Sequence, residues 1–171
     1  MSGAVSTALT FHNTDLLGEQ GLSTTQAAAI FIPQLVGSVS FSFIAGSLTD
    51  RLPARPLMFG GAFMLGLGTF LATVAEPGVM ASLYGLVLGI GSGTIGAISG
   101  ALYPKWFGVE HIGSIKGIAT TANVGASAIG PLILSIGNDI ADSYEPVVLG
   151  CAFAAWLMAL VALIVPTPER V

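Results

Sequence analysis

Charge is missing from this chain in long, regularly spaced stretches. Between Glu19 and Asp50 lie thirty residues without Asp, Glu, Lys or Arg, and between Arg55 and Glu76 lie twenty. Three further gaps, of twenty-eight, twenty-two and twenty-three residues, separate Glu76 from Lys105, Lys116 from Asp139 and Glu145 from Glu169. About 20 apolar helical residues cross about 30 Å of hydrocarbon, and all five gaps reach that length. Backbone N–H and C=O groups in lipid have to be paired within their own segment, so the gaps have to be helices. Barrel strands are excluded, because they are shorter and alternate polar with apolar positions. The fold class is therefore an all-α, polytopic membrane bundle, one transmembrane domain over 1–171. Its spans lie near 26–48, 56–75, 78–102, 117–138 and 146–166. Pro56 and Pro146 suit first-turn positions, where no intrahelical N–H bond is lost.

Composition agrees with a lipid solvent. Charged residues make up 8% of the chain against 53% hydrophobic, where a soluble domain carries roughly 25% charged. The 23 glycines suit helices that pack closely in a membrane. The net charge of −4 and the lack of any basic run exclude nucleic acid as a partner. The lone Cys151 has no internal disulfide partner and reads as a small packing residue. Residues 1–11 lack the basic start and cleavage pattern of a signal peptide. Residues 1–12, MSGAVSTALTFH, are apolar but too short to span. They read as a partial N-terminal helix, the second half of one more crossing, with 13–22 as an outer loop.

Sign of charge orients the bundle. With five crossings, Arg51, Arg55, Lys105, Lys116 and Arg170 all fall on one side. The other side holds Asp15, Glu19, Glu76, Asp139, Asp142 and Glu145 and no Lys or Arg. Basic loops stay cytoplasmic. This predicts a cytoplasmic C-terminus in a cell membrane, either a plasma membrane or a bacterial inner membrane.

Small residues recur every fourth position at Gly85, Gly89, Gly93, Ala97 and Ala101, with Gly96 and Gly100 alongside. Such a stripe lets helix backbones touch. It reads either as static packing or as a surface on which helices rock. Span 117–138 repeats the theme with Gly117, Thr121, Gly125, Ala126 and Gly130. The pair Gly130–Pro131 should kink that helix, and Pro33 should do the same in span 26–48. No Asp, Glu, Lys or Arg lies within a span. The polar residues left there are costly in lipid and should face protein or water. Gln34 and Asn123, with His12 and Asn13 at the end of the first half-helix, are the substrate-pathway candidates. Each has an alternative reading, helix–helix hydrogen bonding or an interfacial position. Tyr103, Lys105, Trp106 and Phe107 read as a membrane-edge anchor.

The loop GSLTDRLPAR (46–55) resembles the cytoplasmic signature of the major facilitator superfamily, G-x-x-x-D-R/K-x-G-x-R/K. Gly46, Asp50, Arg51 and Arg55 match, and Pro53 stands where the family has glycine. YPKWFGVEHIGSIKG (103–117) looks like the loop into that family's eleventh helix, and residues 11–23 look like the outer end of its seventh. Span 117–138 partly resembles an antiporter signature, with Ala126, Leu134 and Ser135 where glycines are expected. The resemblance covers nearly the whole chain. It implies helices seven (partial) to twelve, the C-terminal half of a twelve-helix secondary transporter. It implies a small solute bound between two halves, the second half being an N-terminal one or another copy. It also implies that Asp50 and Arg51 act as gate residues.

The leading function is therefore alternating-access transport of a small solute. The alternative is a small polytopic protein that packs with a partner without transporting anything. An enzyme is disfavoured, since no Ser–His pair on facing spans, carboxylate pair or metal-ligand cluster is evident. No cofactor and no metal is expected. Topology is checked by single cysteines placed at Pro53 and Asp142 in a Cys151→Ser background. An impermeant thiol reagent applied outside should label position 142 and spare position 53.

Overall fold

Eight α-helices account for most of the described chain, residues 2–165 of a computed structural model. They are α1 (Ser2–Phe11), α2 (Asn13–Glu19), α3 (Thr24–Ala29), α4 (Phe31–Leu48), α5 (Ala54–Leu71), α6 (Val79–Phe107), α7 (Ile112–Ala141) and α8 (Glu145–Ile164). A 3₁₀ turn, Ala72–Val74, extends α5. Five segments are long and apolar enough to cross a bilayer: Thr24–Leu48, Ala54–Val74, Val79–Phe107, Ile112–Ala141 and Glu145–Ile164. Among the described residues there is no strand. The protein is an all-α, multi-pass membrane bundle. Arg170, and the last residue of the span written as 146–166, lie outside the described residues.

Several elements differ from the sequence reading, each for a local reason. The stretch 13–22 is not a plain loop. Its first seven residues form α2, with Asn13, Leu16 and Leu17 buried. The helical bonds run through His12, from His12 N–H to Ala8 and from Leu16 N–H to His12, so α1 and α2 stack end to end. Apolar positions at Leu9, Leu16 and Leu17 outweigh the scattered polar residues there. Ser23 and Gln26 then form a reciprocal capping box that starts α3, each side chain accepting from the other residue's backbone N–H. The span holding Pro33 is broken at Ile30, between α3 and α4. Proline lacks the donor that would reach back four residues, and the helix loosens one turn ahead of it. Pro131 lies inside α7 and does not end it.

The segment 103–116 shrinks to a four-residue turn, because α6 runs on to Phe107 through Pro104 and α7 begins at Ile112. Gly108, at φ +71°, lets the chain leave α6 in a left-handed conformation. Trp106 therefore sits in the last turn of α6. There it packs against a small core of Ala45, Leu57, Ile98 and Leu102 rather than serving only as an anchor.

Helix α6 is the centre of the bundle. Half of its most apolar window is buried, against 17% for the α3–α4 span and 11% for α7. One face meets α4 along matched four-residue steps. A Cβ at Gly85 would strike Ile30, one at Gly89 the Gln34 carbonyl, and one at Gly93 the Ser38 carbonyl. Ser42, one step on, donates to the Gly93 carbonyl at 3.1 Å. The opposite face meets α5, where Gly68 lies against Leu88 and Gly91 against Leu65. Helix α5 in turn carries α8, with Gly66 making room for the Trp156 indole. Helices α1 and α7 form a second unit, in which Gly130 rides on the Ala4 backbone.

By contrast, a Cβ at Gly96, Gly100, Gly117 or Gly125 would meet nothing within 4 Å. The second α6 stripe and half of the α7 stripe thus face open space and make no close helix contact. The difference sets an expected outcome. Gly89→Val should destabilise the detergent-solubilised chain by about 1–3 kcal/mol, the scale of an overpacked interior. Gly100→Ala should leave thermal unfolding within about 0.5 kcal/mol of the parent, as expected for a site that touches nothing.

Candidate functional site

A cavity of about 610 Å³ lies between α1, α6 and α7. Its polar lining comes from Ser2 and Ser6 on α1, from Ser92, Ser99 and Tyr103 on α6, and from Thr120 and Asn123 on α7. Helix geometry explains the grouping. Ser92, Ser99 and Tyr103 are seven and four residues apart, which keeps them on one face. Gly96 lies between them and leaves the floor clear. Asn123 sits about 17 Å along α7 from Ile112, at about 1.5 Å per residue. That is somewhat more than a third of the way along a helix of 30 residues, on the side of the basic end. The cavity runs from there towards Tyr103, near the end of the helices that carries Lys105 and Lys116. Gly3 opens a notch on α1 for the Asn123 amide: a Cβ at Gly3 would come within 2.5 Å of Asn123 Oδ1. A neighbouring apolar cavity of about 390 Å³ is walled by α5, α6 and α8, with Met58, Leu65, Ile98, Trp106 and Met158 among its lining.

At the other end the same helices are tied together by side-chain bonds. His12 Nε2 lies 3.1 Å from the Pro131 carbonyl. Its Nδ1 lies 3.2 Å from the Tyr144 hydroxyl. Glu19 accepts from the Tyr144 backbone N–H at 3.3 Å and from the Ser143 hydroxyl at 3.4 Å. Burial, and then the carboxylates of Asp15, Glu19 and Asp139, push the Tyr144 phenol above its ordinary value. It therefore stays neutral, with its proton available for His12. Asn13 is buried, donating to the Ala27 carbonyl at 2.9 Å and accepting from Tyr84 at 3.4 Å. This joins α2 to α3 and α6.

Of the four pathway candidates, the cavity lining includes Asn123 alone. His12 and Asn13 are engaged in the junctions just described. Gln34 is half-buried on α4, and its carbonyl packs on Gly89. Of the hydroxyl residues of α1 and α6 that share the cavity with Asn123, Tyr103 was read from sequence as a membrane-edge anchor, and Ser2, Ser6, Ser92 and Ser99 were not singled out. Their spacing along α6 carried the signal, but serines in a helix more often bond back to their own turn. Ser92 and Ser99 do that as well, donating to Gly89 at 3.1 Å and Ile95 at 2.8 Å.

A family model for the Major Facilitator Superfamily matches residues 1–171. This chain belongs to the Major Facilitator Superfamily. A hexuronate transporter of Bacillus subtilis (strain 168) is 26% identical to it over 131 residues. These residues make up 76% of this chain and 30% of that transporter, so the chain spans well under half of its relative's length. No solved structure matches the chain.

The superfamily-like loop 46–55 connects α4 to α5. Asp50 pairs with Lys105 at 3.1 Å, and Lys105 also donates to the Thr49 carbonyl. One ammonium thus serves the C-terminal end of α4 and the last turn of its own helix α6, where a cation is favoured. Asp50 meets this cation and not the N-terminus of a neighbouring helix. Arg55 Nε donates to the Val165 carbonyl at 3.1 Å, joining α5 to the end of α8. Arg51 is exposed, and Gly46 has nothing near its Cβ direction. Pro53 stands immediately before the first residue of α5, with ψ 149°. It thereby breaks the chain out of α4 where the family has glycine. Asp50 is 78% exposed, which caps the value of its ion pair. A double-mutant cycle of Asp50→Asn with Lys105→Met should give a coupling of about 0.2–1 kcal/mol. Lys105→Met alone should cost more than Asp50→Asn, since it also strips the Thr49 carbonyl of its donor.

Proposed function

We propose that this chain forms one wall of a secondary transporter that moves a small solute by alternating access. The observation that carries this reading is the polar cavity between α1, α6 and α7. Thr120 and Asn123 are exposed on a helix whose exposed side chains also include Ile118, Val124 and Ile129. Amide and hydroxyl groups facing lipid there would each go unpaired at a cost of several kcal/mol. Water or a solute in the cavity removes that cost. Polar groups at the bilayer midplane between repeats are where carriers of this kind bind. The related Bacillus subtilis protein is a hexuronate transporter, and a sugar acid is the solute class that this likeness favours here.

The open faces of α4 and α7 are where a second six-helix half, or a second copy of this chain, completes the pathway. The remaining apolar surface meets lipid. The basic ends of the helices lie in the cytoplasm of a cell-membrane carrier. In that orientation the cavity faces the cytoplasm, and the His12–Tyr144–Glu19 junction closes the outer side. A polytopic protein that only assembles a partner would use the α4–α6 contact equally well, but it needs no polar cavity.

Reconstituted alone in liposomes, the chain should show no saturable solute uptake. Co-reconstitution with an N-terminal six-helix half should create uptake, and Asn123→Leu should then reduce it more than Leu163→Ala on the outer face. Saturable uptake by the chain alone would instead mean that two copies stand in for the two halves.

A further inference from the structure

We infer that the α1–α6–α7 cavity recognises the hydroxyl groups of a polyhydroxylated solute and is blind to its charge. The inference rests on the transport reading above, and it names what this wall of the pathway reads. The cavity contributes seven polar side chains, Ser2, Ser6, Ser92, Ser99, Tyr103, Thr120 and Asn123, and no Asp, Glu, Lys, Arg or His.

Their bonding states are complementary to hydroxyls. Ser92 and Ser99 have committed their protons to backbone carbonyls, which leaves oxygen lone pairs to accept from a ligand O–H. The side chains of Ser2, Ser6, Tyr103, Thr120 and Asn123 line the cavity without a side-chain hydrogen bond among the described residues. The Asn123 amide adds two donors and an acceptor, and the four hydroxyls each serve in both senses. A sugar hydroxyl, itself donor and acceptor, matches such a mixed array. A carboxylate accepts only. It would be held by cationic donors in bidentate or charge-assisted bonds, and the lining has none. Lys105 is turned away to Thr49 and Asp50. The volume of about 610 Å³ falls within the roughly 300–1,000 Å³ of small-ligand sites. Selection for or against a solute's charge therefore belongs to groups outside this wall.

The test is equilibrium binding to the whole chain in lipid nanodiscs, read by saturation-transfer NMR with glucose and glucuronate as probes. The two share a ring and its hydroxyls and differ in charge. Both should bind, with dissociation constants within about threefold of each other. Raising salt about tenfold, which shortens the screening length about threefold, should change neither. Gly96→Leu sets its Cβ where no neighbouring helix lies within 4 Å and extends its branch into the cavity, so it should abolish binding of both; thermal unfolding read alongside separates a blocked cavity from a misfolded chain. Asn123→Leu and Ser99→Ala should each weaken both probes equally, by about tenfold for one lost hydrogen-bonding group.

Binding of glucuronate without glucose, or binding lost in salt, would overturn the inference by showing a charge-reading site. Binding that survives Gly96→Leu would place the site elsewhere, and failure of both probes to bind would remove it. A completed carrier that takes up solute while failing these tests keeps the transport reading and loses this one. A chain that binds both sugars, yet supports no uptake when completed, keeps this inference and loses only the transport reading.

Discussion

Lipid gives helices no hydrophobic reason to associate, because a neighbouring acyl chain is as apolar as a leucine. What remains is close contact of backbones, and the contact between α4 and α6 supplies it. Gly85, Gly89 and Gly93 present bare backbone to Ile30, Gln34 and Ser38, and Gly37 returns the arrangement from α4 towards the Leu86 carbonyl. Each glycine brings one helix's atoms within dispersion range of the other's carbonyl groups, where weak Cα–H···O contacts add about 0.5–1 kcal/mol apiece. With α4 fixed on one side of α6 and α5 on the other, the remaining helices have a frame to lean on. The small residues of α6 therefore do two opposite jobs. Those turned to α4 close a gap, while Gly96, a few residues on, keeps one open.

The polar groups of the bundle divide in the same way. At the end rich in carboxylates, among the described residues, side-chain bonds tie the α1–α7 unit to the rest. Asn13 reaches Ala27 and Tyr84, and His12 and Glu19 reach Tyr144. Towards the basic end, the polar side chains between α6 and α7 face the cavity and bond to their own helices or to no protein group. There the two units are joined by the Gly108–His111 turn. A bundle bonded at one end and hollow at the other already has the asymmetry that a rocking motion exploits.

Much of the fold was legible in sequence because lipid imposes a length and a polarity on every crossing. The charge-free gaps fixed five crossings, and the resemblance of GSLTDRLPAR pointed to the family. Helix ends were less legible. Charges at Lys105 and Lys116 bracketed a loop, yet helices tolerate charge in their end turns, and Lys105 is welcome where α6 ends. The helix 13–19 was hidden because Asp15 and Glu19 fall on its exposed face. The site was the least legible part. A glycine that admits a neighbour and a glycine that borders a cavity have the same letter, and only the placement of α4 and α7 separates Gly89 from Gly96. Asn13 and Asn123 also read alike. One is 4% exposed and bonded through both its amide nitrogen and its oxygen, and the other opens on the cavity.

The two ends differ in strength as well as in closure. The Asp50–Lys105 pair is largely exposed, and exposed pairs contribute little because water competes and salt screens them. The His12–Tyr144–Glu19 junction is more sheltered. Tyr144 is 8% exposed, and its hydroxyl and backbone N–H serve two different partners. A sheltered bond is worth more than an exposed one, since breaking it leaves polar groups unpaired away from water. On the transport reading, opening the carboxylate-rich end breaks the sheltered junction, so other contacts have to compensate at that moment. The loop ion pair, cheap to make and break, is suited to follow such a motion and unsuited to resist it. On the transport reading, that inequality favours a state with the cavity open at the basic end. It needs no contribution from the charged loop.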